Sequence, residues 1–175
     1  HIAYLFNYAG QPWRTQAIVH RICTEFYTNE PDGLIGNEDC GQMSAWLVLS
    51  AMGFYQVTPG SGLYALGTHM FDEVRISMEN GKQFVIKASG KTNQAFYVQS
   101  ATLNGQSYTP TFLTHDDLAK GGVLEFAMGT KPNLQNGVAQ KDRPSSALYD
   151  EAFVSVPAIA NNSNKFTNAT QILFT

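Results

Sequence analysis

Hydrophobic positions along this chain change their period once, near residue 57. Before that point they recur every three to four residues, and after it every second residue. Ile18, Val19, Ile22, Cys23 and Phe26 follow one another at helical spacing, with His20, Arg21, Thr24 and Glu25 on the opposite face. Pro12 occupies a favourable first helical position, so the pattern predicts an amphipathic helix starting there. Asn29 to Asn37 holds Pro31, Gly33 and Gly36 and reads as a turn-rich loop. From about Gly41 to Met52 the chain is almost wholly apolar and stops at Gly53. That stretch predicts a helix buried on all sides, too short to span a membrane. Two helices cannot cover each other that completely, so an inner and an outer element of a layered helical assembly are expected, with partners from elsewhere.

The period of two then takes over. Val74, Ile76 and Met78 alternate, Asn80-Gly81 is a type I′ hairpin signal, and Phe84, Ile86 and Ala88 resume the alternation. Ala95 to Leu103 predicts a further strand ending at a second turn signal, Asn104-Gly105. Thr114-His115-Asp116-Asp117 reads as the cap of one short helical turn, and Val123 to Met128 as a last clear strand. The expected fold class is α+β, with helices followed by an antiparallel β-sandwich region. The expected organisation is 1–57 helical, 58–133 β-sandwich, 134–155 linker or strapping loop, and 156–175 the start of a further β module. The loop is polar and proline-interrupted, at Pro132 just before it and at Pro144. The last module rests on Val156-Pro157-Ala158-Ile159 and Gln171-Ile172-Leu173-Phe174. Asn161 and Asn168 stand in glycosylation sequons, which are common by chance.

Composition narrows the function classes. A net charge of −3 with no Lys/Arg cluster excludes a phosphate-neutralising nucleic-acid surface. No apolar run is long enough for a membrane span. Only 14% of residues are charged, which fits an exported protein, periplasmic or at the cell surface. Cys23 and Cys40 are too few for a disulfide scaffold, and burial as small hydrophobes is their expected role. A Cys40 thiol nucleophile with His20, His69 or His115 as base lacks any signature and is set aside. The chain opens with His1-Ile2-Ala3-Tyr4-Leu5, core-like in texture, as if cut from a larger protein.

The run from Asp32 to Trp46 concentrates the candidate chemistry. It delivers Asn37, Glu38 and Asp39 to the entrance of the apolar helix, where carboxylates are costly unless charged, bonded or reactive partners need them. Near a helix N-terminus the dipole and free N–H groups favour an ionised Asp39, and an ordinary N-cap accounts for an Asp at that place. Glu38 and Asn37 read equally as a solvated turn or as support for a site, and Asp32 as a turn former. Trp13, an aromatic near a helix start, reads as a core residue, and Gln16 and Gln42 are polar positions on the two helices. Trp46 belongs in the core. His115-Asp116-Asp117 reads as a capped turn rather than a metal cluster.

Several ordered segments carry a resemblance. They are Tyr4-Leu5-Phe6-Asn7-Tyr8-Ala9-Gly10-Gln11-Pro12-Trp13-Arg14-Thr15-Gln16, then Gly36-Asn37-Glu38-Asp39-Cys40-Gly41-Gln42-Met43-Ser44-Ala45-Trp46, then Gly53-Phe54-Tyr55. Pro59-Gly60-Ser61, Ala101-Thr102-Leu103-Asn104-Gly105 and Gly121-Gly122-Val123-Leu124-Glu125-Phe126 follow. Over about residues 1–133 the chain resembles the C-terminal part of glycoside hydrolase family 92, calcium-dependent exo-acting α-mannosidases. It departs from the family at Gln56, where Pro is usual, and at Thr68-His69-Met70, where a Ser-Pro-Leu type stretch is usual.

The resemblance implies the last helices of an (α/α)6 barrel packed on a β-sandwich. It implies an inverting mechanism on α-1,2 or α-1,3 linked mannose of glycans. Asp39 would be the general base and Glu38 its catalytic support. Asn37 would contribute to a Ca2+ site, and Trp13 and Gln42 to substrate binding. The general acid and main calcium ligands would lie in the N-terminal part of the same protein, leaving this piece inactive alone. The last twenty residues weakly resemble a chitobiase-type C-terminal module. A non-catalytic carbohydrate-binding or structural β-sandwich is the competing expectation, with Tyr97, Tyr108 or Phe112 on an exposed glycan-binding face.

Overall fold

In a computed structural model, whose described residues are 1–145, the helices come first. A 3-10 turn at Ile2–Tyr4 runs into α1 (Leu5–Tyr8), and α2 (Pro12–Glu25) follows with Pro12 in its first turn. After a long loop, α3 spans Gln42–Met52 and ends at Gly53, left-handed at φ 106. Tyr4, Val19, Cys23, Trp46 and Ala65 form the helical core, and the Tyr4 hydroxyl donates to Ser50 Oγ at 2.8 Å.

Two helical expectations need correction. On α2 the buried stripe is Pro12, Thr15, Gln16, Val19 and Cys23, while Ile18 and Ile22 are half-buried and Phe26 is exposed. The helix is turned so that Gln16 reaches the sheet, where its side-chain oxygen accepts the Val98 N–H at 3.1 Å. On α3 only Trp46, Ser50 and Ala51 are buried among the described residues, and Val48 is 57% exposed. This apolar helix is therefore covered on one side rather than all round.

The first strand begins directly after α3. Strands β1 (Phe54–Tyr55), β2 (Leu63–Leu66), β3 (Glu73–Ser77), β4 (Gln83–Ser89), β5 (Tyr97–Leu103), β6 (Gln106–Ser107), β7 (Phe112–Thr114) and β8 (Gly122–Gly129) follow in order, with α4 (His115–Lys120) before β8. They make a three-stranded sheet, β1-β2-β7, and a five-stranded sheet, β3-β4-β8-β5-β6. Phe54, Leu66 and Leu113 of the small sheet share one core with Phe84, Ile86, Val98, Ala101, Leu124 and Phe126 of the large one. The expectation of purely antiparallel strands fails at one place: β4 and β8 pair in parallel, from Phe84 with Gly122 to Ser89 with Ala127. The short helix α4 directly precedes β8 in the chain. It is held by a full capping box between Thr114 and Asp117.

Residues 130–145 run back across these elements. Asn133 Nδ2 donates to the Gln99 carbonyl at 2.8 Å, and Thr109 Oγ1 donates to Asp142 Oδ1 at 2.6 Å. The Arg143 guanidinium donates to the Val138 carbonyl and lies against Gly10. Residues 146–175, with the expected further module and both sequons, lie outside the described residues. No helix among the described residues is long and apolar enough to cross a membrane.

Candidate functional site

The loop between α2 and α3 is built by short-range bonds that bring its polar residues to the mouth of α3. Past the end of α2, Tyr27 bridges Leu34, and the Thr28 N–H donates to the Gly33 carbonyl at 3.0 Å across a turn containing Asp32. The Tyr27 hydroxyl then donates to the Met43 carbonyl at 3.1 Å, fastening the loop to α3. Burial first, then the nearby Cys23 thiol and Glu38 carboxylate, push this phenol up from its ordinary pKa, so it stays a donor.

At the loop's end the backbone turns tightly. Asp39–Gly41 form a 3-10 turn in which Cys40 sits at φ 54 and Gly41 at φ 77, two left-handed residues in succession. Glycine takes that conformation readily, whereas for Cys40 it is strained. Side-chain capping comes from neither Asp39 nor Gly41. Instead both oxygens of Glu38 accept from Ser44, the third residue of α3: the Ser44 N–H at 3.2 Å and its hydroxyl at 2.9 Å. Glu38 thus does the work of an N-cap from six residues upstream. No hydrogen bond from any described residue engages the adjacent Asp39 carboxylate, which is exposed. The N-cap reading of Asp39 is thereby overturned, since Glu38 has that task.

The remaining candidates distribute unevenly. Asn37 is exposed beside Glu38, and Gln42 is the exposed first residue of α3. Gln42 lines an apolar groove of about 400 Å3 with Ile2, Ile22, Phe26, Ile35 and Trp46. Trp13 is half-buried at the opposite end of α2, roughly 20 Å along the helix axis from the loop. It is not brought to the carboxylates by this chain. Gln16 is buried against the sheet and Trp46 is in the core. Cys40 is exposed, against the expectation of burial, while Cys23 is buried and its thiol is pushed up to about 11 by desolvation. Tyr97, Tyr108 and Phe112 are half-buried. Tyr97 packs at a tilt against Phe96, with ring centroids 4.3 Å apart, and the Tyr108 hydroxyl donates to the Phe112 carbonyl at 2.6 Å, so they form no open aromatic shelf.

Hard cations such as calcium take six or more oxygen ligands. Among the described residues no three His, Cys, Asp or Glu side chains converge on a point that could hold an ion. Both Glu38 oxygens are engaged by Ser44, leaving Asn37 and Asp39 with free oxygens. The donors that the described residues bring to this loop do not by themselves make up a calcium site. Sequence reasoning missed Ser44 altogether: a carboxylate six residues before its partner is outside the usual capping-box spacing, and only the two left-handed residues between them close the gap.

Residues 1–130 match the glycosyl hydrolase family 92 catalytic domain. An uncharacterized secreted glycosidase of the fungus Arthroderma benhamiae is 30% identical over 146 residues, covering 82% of this chain and 19% of its own. A family GH92 alpha-mannosidase of Bacteroides thetaiotaomicron superposes with a TM-score of 0.80 at 39% identity, over 86% of this chain and 20% of that one. A family GH92 inverting mannosidase of the same organism superposes with a TM-score of 0.80 at 43% identity, over 83% of this chain and 20% of that one. The chain therefore spans about a fifth of the length of these relatives.

Proposed function

The chain belongs to glycosyl hydrolase family 92, and from that premise we propose that it is the part of an inverting exo-α-mannosidase that supplies the general base. The base is Asp39. The observation that carries this reading is the division of labour between two adjacent, exposed carboxylates: Glu38 is bonded to Ser44, whereas Asp39 has no hydrogen bond from a described residue and is open to a water molecule.

An inverting glycosidase uses two carboxyl groups about 6.5–9.5 Å apart, with room for a water between the base and the sugar. Asp39 removes a proton from that water as its oxygen attacks the anomeric carbon. The bond to the leaving oxygen breaks on the opposite face, and a general acid elsewhere in the whole enzyme protonates it. β-Mannose leaves as the first product. Gln42, one turn into the same site, is placed to bond a sugar hydroxyl, and Asn37 to orient the water. The substrate class is α-1,2 or α-1,3 linked mannose of glycans, met outside the cytoplasm, in the periplasm or at the cell surface. The same reading makes the helices the last pair of an (α/α)6 barrel beside a β-sandwich.

Calcium dependence belongs to the proposal at the level of the whole enzyme, with its ligands outside the loop apart from Asn37. Since the chain covers about a fifth of its relatives, residues 1–175 alone are expected to be inactive. The test is hydrolysis of α-1,2- and α-1,3-mannobiose by the full-length protein, followed by proton NMR, with and without a chelator. β-Mannose as first product, lost on chelation and restored by calcium, supports the reading. Asp39→Ala should then lower kcat by a factor of ~100 or more with the fold preserved. No turnover of any mannobiose by folded, calcium-loaded protein would overturn it.

A further inference from the structure

We propose that Glu38 is a positioning residue, which acts through Ser44 to hold Asp39 in its working place. The inference rests on Asp39 being the base, and it separates the two adjacent carboxylates by role.

Three observations support it. The Glu38–Ser44 pair closes the loop with two bonds to one carboxylate, the Ser44 N–H at 3.2 Å and its Oγ at 2.9 Å. Bonds to an ionised acceptor are the stronger kind. No other side chain caps the start of α3. Inside the closed loop, Cys40 at φ 54 and ψ 27 holds a conformation that a non-glycine residue keeps only where its surroundings determine it. Asp39 immediately precedes Cys40. Releasing the tie frees Cys40 to return to a right-handed or extended conformation, and that rotation swings the Asp39 carboxylate off the line of attack. Each Glu38 oxygen accepts one bond from Ser44, so this carboxylate is tied to α3, whereas Asp39 makes no bond to a described side chain.

Proton and bond accounts are those of the base-assisted hydrolysis, since Glu38 exchanges nothing. The role is therefore visible in rate and not in the proton inventory. A displacement of about an ångström at a reacting group costs on the order of 100-fold in rate.

The experiment uses the full-length protein with α-mannosyl fluoride as probe, whose leaving group needs little acid assistance. Glu38→Ala should lower kcat about 10- to 100-fold while KM stays within about twofold. Glu38→Gln should recover most of that loss, because the amide oxygen still accepts from the Ser44 N–H and the amide nitrogen can donate to Ser44 Oγ. Ser44→Ala, which removes one of the two bonds and leaves the helix intact, should lower kcat several-fold in the same sense. Azide separates the roles: in Asp39→Ala it attacks C1 as fluoride departs and restores turnover as β-mannosyl azide. In Glu38→Ala it restores nothing, since a base is present but misplaced.

Wild-type kcat in Glu38→Ala and Ser44→Ala overturns the proposal. So does a Glu38→Gln variant as inactive as Glu38→Ala and rescued by azide, which would make Glu38 itself the base. Failure of the underlying reading looks different: Asp39→Ala would then turn over like wild type, removing the base and its brace together.

Discussion

His69 lies against the Phe126 ring with centroids 4.3 Å apart, and neither imidazole nitrogen has a hydrogen-bond partner of good geometry among the described residues. A Cβ at Gly53 would fall on its ring, so the left-handed glycine that ends α3 also makes room for it. Burial lowers the His69 pKa to about 4; the Met52 backbone opposes this weakly and Lys91 adds to it. In the unfolded chain the group returns to about 6.5. Between those values the unfolded state binds a proton that the folded state excludes, so stability falls as pH drops through this window and is unaffected above it. The full effect, reached below about pH 4, is ~3 kcal/mol. Unfolding of this chain followed from pH 7.5 to 4.5 should therefore be flatter in His69→Leu than in wild type; parallel curves would show that His69 does not carry the dependence. His69 stands where the family resemblance expects proline, and nothing in the sequence marks it as buried. The same holds at the candidate site, where the run of carboxylates was legible but their division was not. Which of Glu38 and Asp39 is tied down depends on the backbone at Cys40, and a cysteine does not announce a positive φ.

Two Asn-Gly pairs gave identical hairpin signals, and only one became the expected turn. Asn104 at φ 52 and Gly105 at φ 79 close a two-residue type I′ link between β5 and β6. At Asn80-Gly81 the β3–β4 register instead closes at Ser77 with Gln83, and only Gly81 is left-handed. Asn80 is engaged elsewhere, donating to the Ala119 carbonyl at 2.9 Å and accepting the Lys82 N–H at 3.0 Å. A tertiary bond to α4 has overridden the local preference. Asn104 combines both duties, since its Oδ1 also accepts the Val123 N–H of β8 at 2.8 Å. Asn104→Ala should accordingly cost ~1–2 kcal/mol in urea unfolding, through the lost bond and the left-handed backbone, and Asn80→Ala ~0.5–1 kcal/mol. The reverse ranking would mean that the tie to α4 outweighs the turn. Period and turn chemistry thus revealed α2, α3, β3, β4, β5 and β8, with the Thr114 cap and the Pro12 start, but not the short strands β1, β2, β6 and β7. They could not reveal the parallel β4–β8 pairing, because strand direction depends on the path between strands.

Across the whole described molecule, apolar surface gathers around α3. The groove of about 400 Å3 toward α2 has a counterpart of about 310 Å3 lined by Leu47, Val48, Ala51, Met52, Met70 and Phe71. Phe71 is 52% exposed there. Contiguous patches of this kind bind partners or associate. Purified 1–175 should therefore enhance the fluorescence of a hydrophobic dye and self-associate at micromolar concentration, and Val48→Glu with Phe71→Glu should suppress both. Each exposed substitution should change stability by no more than ~0.5 kcal/mol. A dye-silent, monodisperse chain would contradict the exposure of α3.

The position of β8 has a consequence during synthesis. It is the last of the described strands in sequence, yet it lies between β4 and β5 in the larger sheet. Until residues 122–129 leave the ribosome, β4 and β5 each present an unpaired edge, and the Phe84-Val85-Ile86 run on β4 is strongly strand-forming. Translation at about 5–20 residues per second leaves this gap open for ~1–5 s after β5 emerges. Lys87 interrupts the exposed run in the manner of a gatekeeper against pairing with a neighbouring nascent chain. The order of synthesis runs against the order of the sheet, so the chain is most open to misassembly in the moments before its central strand arrives.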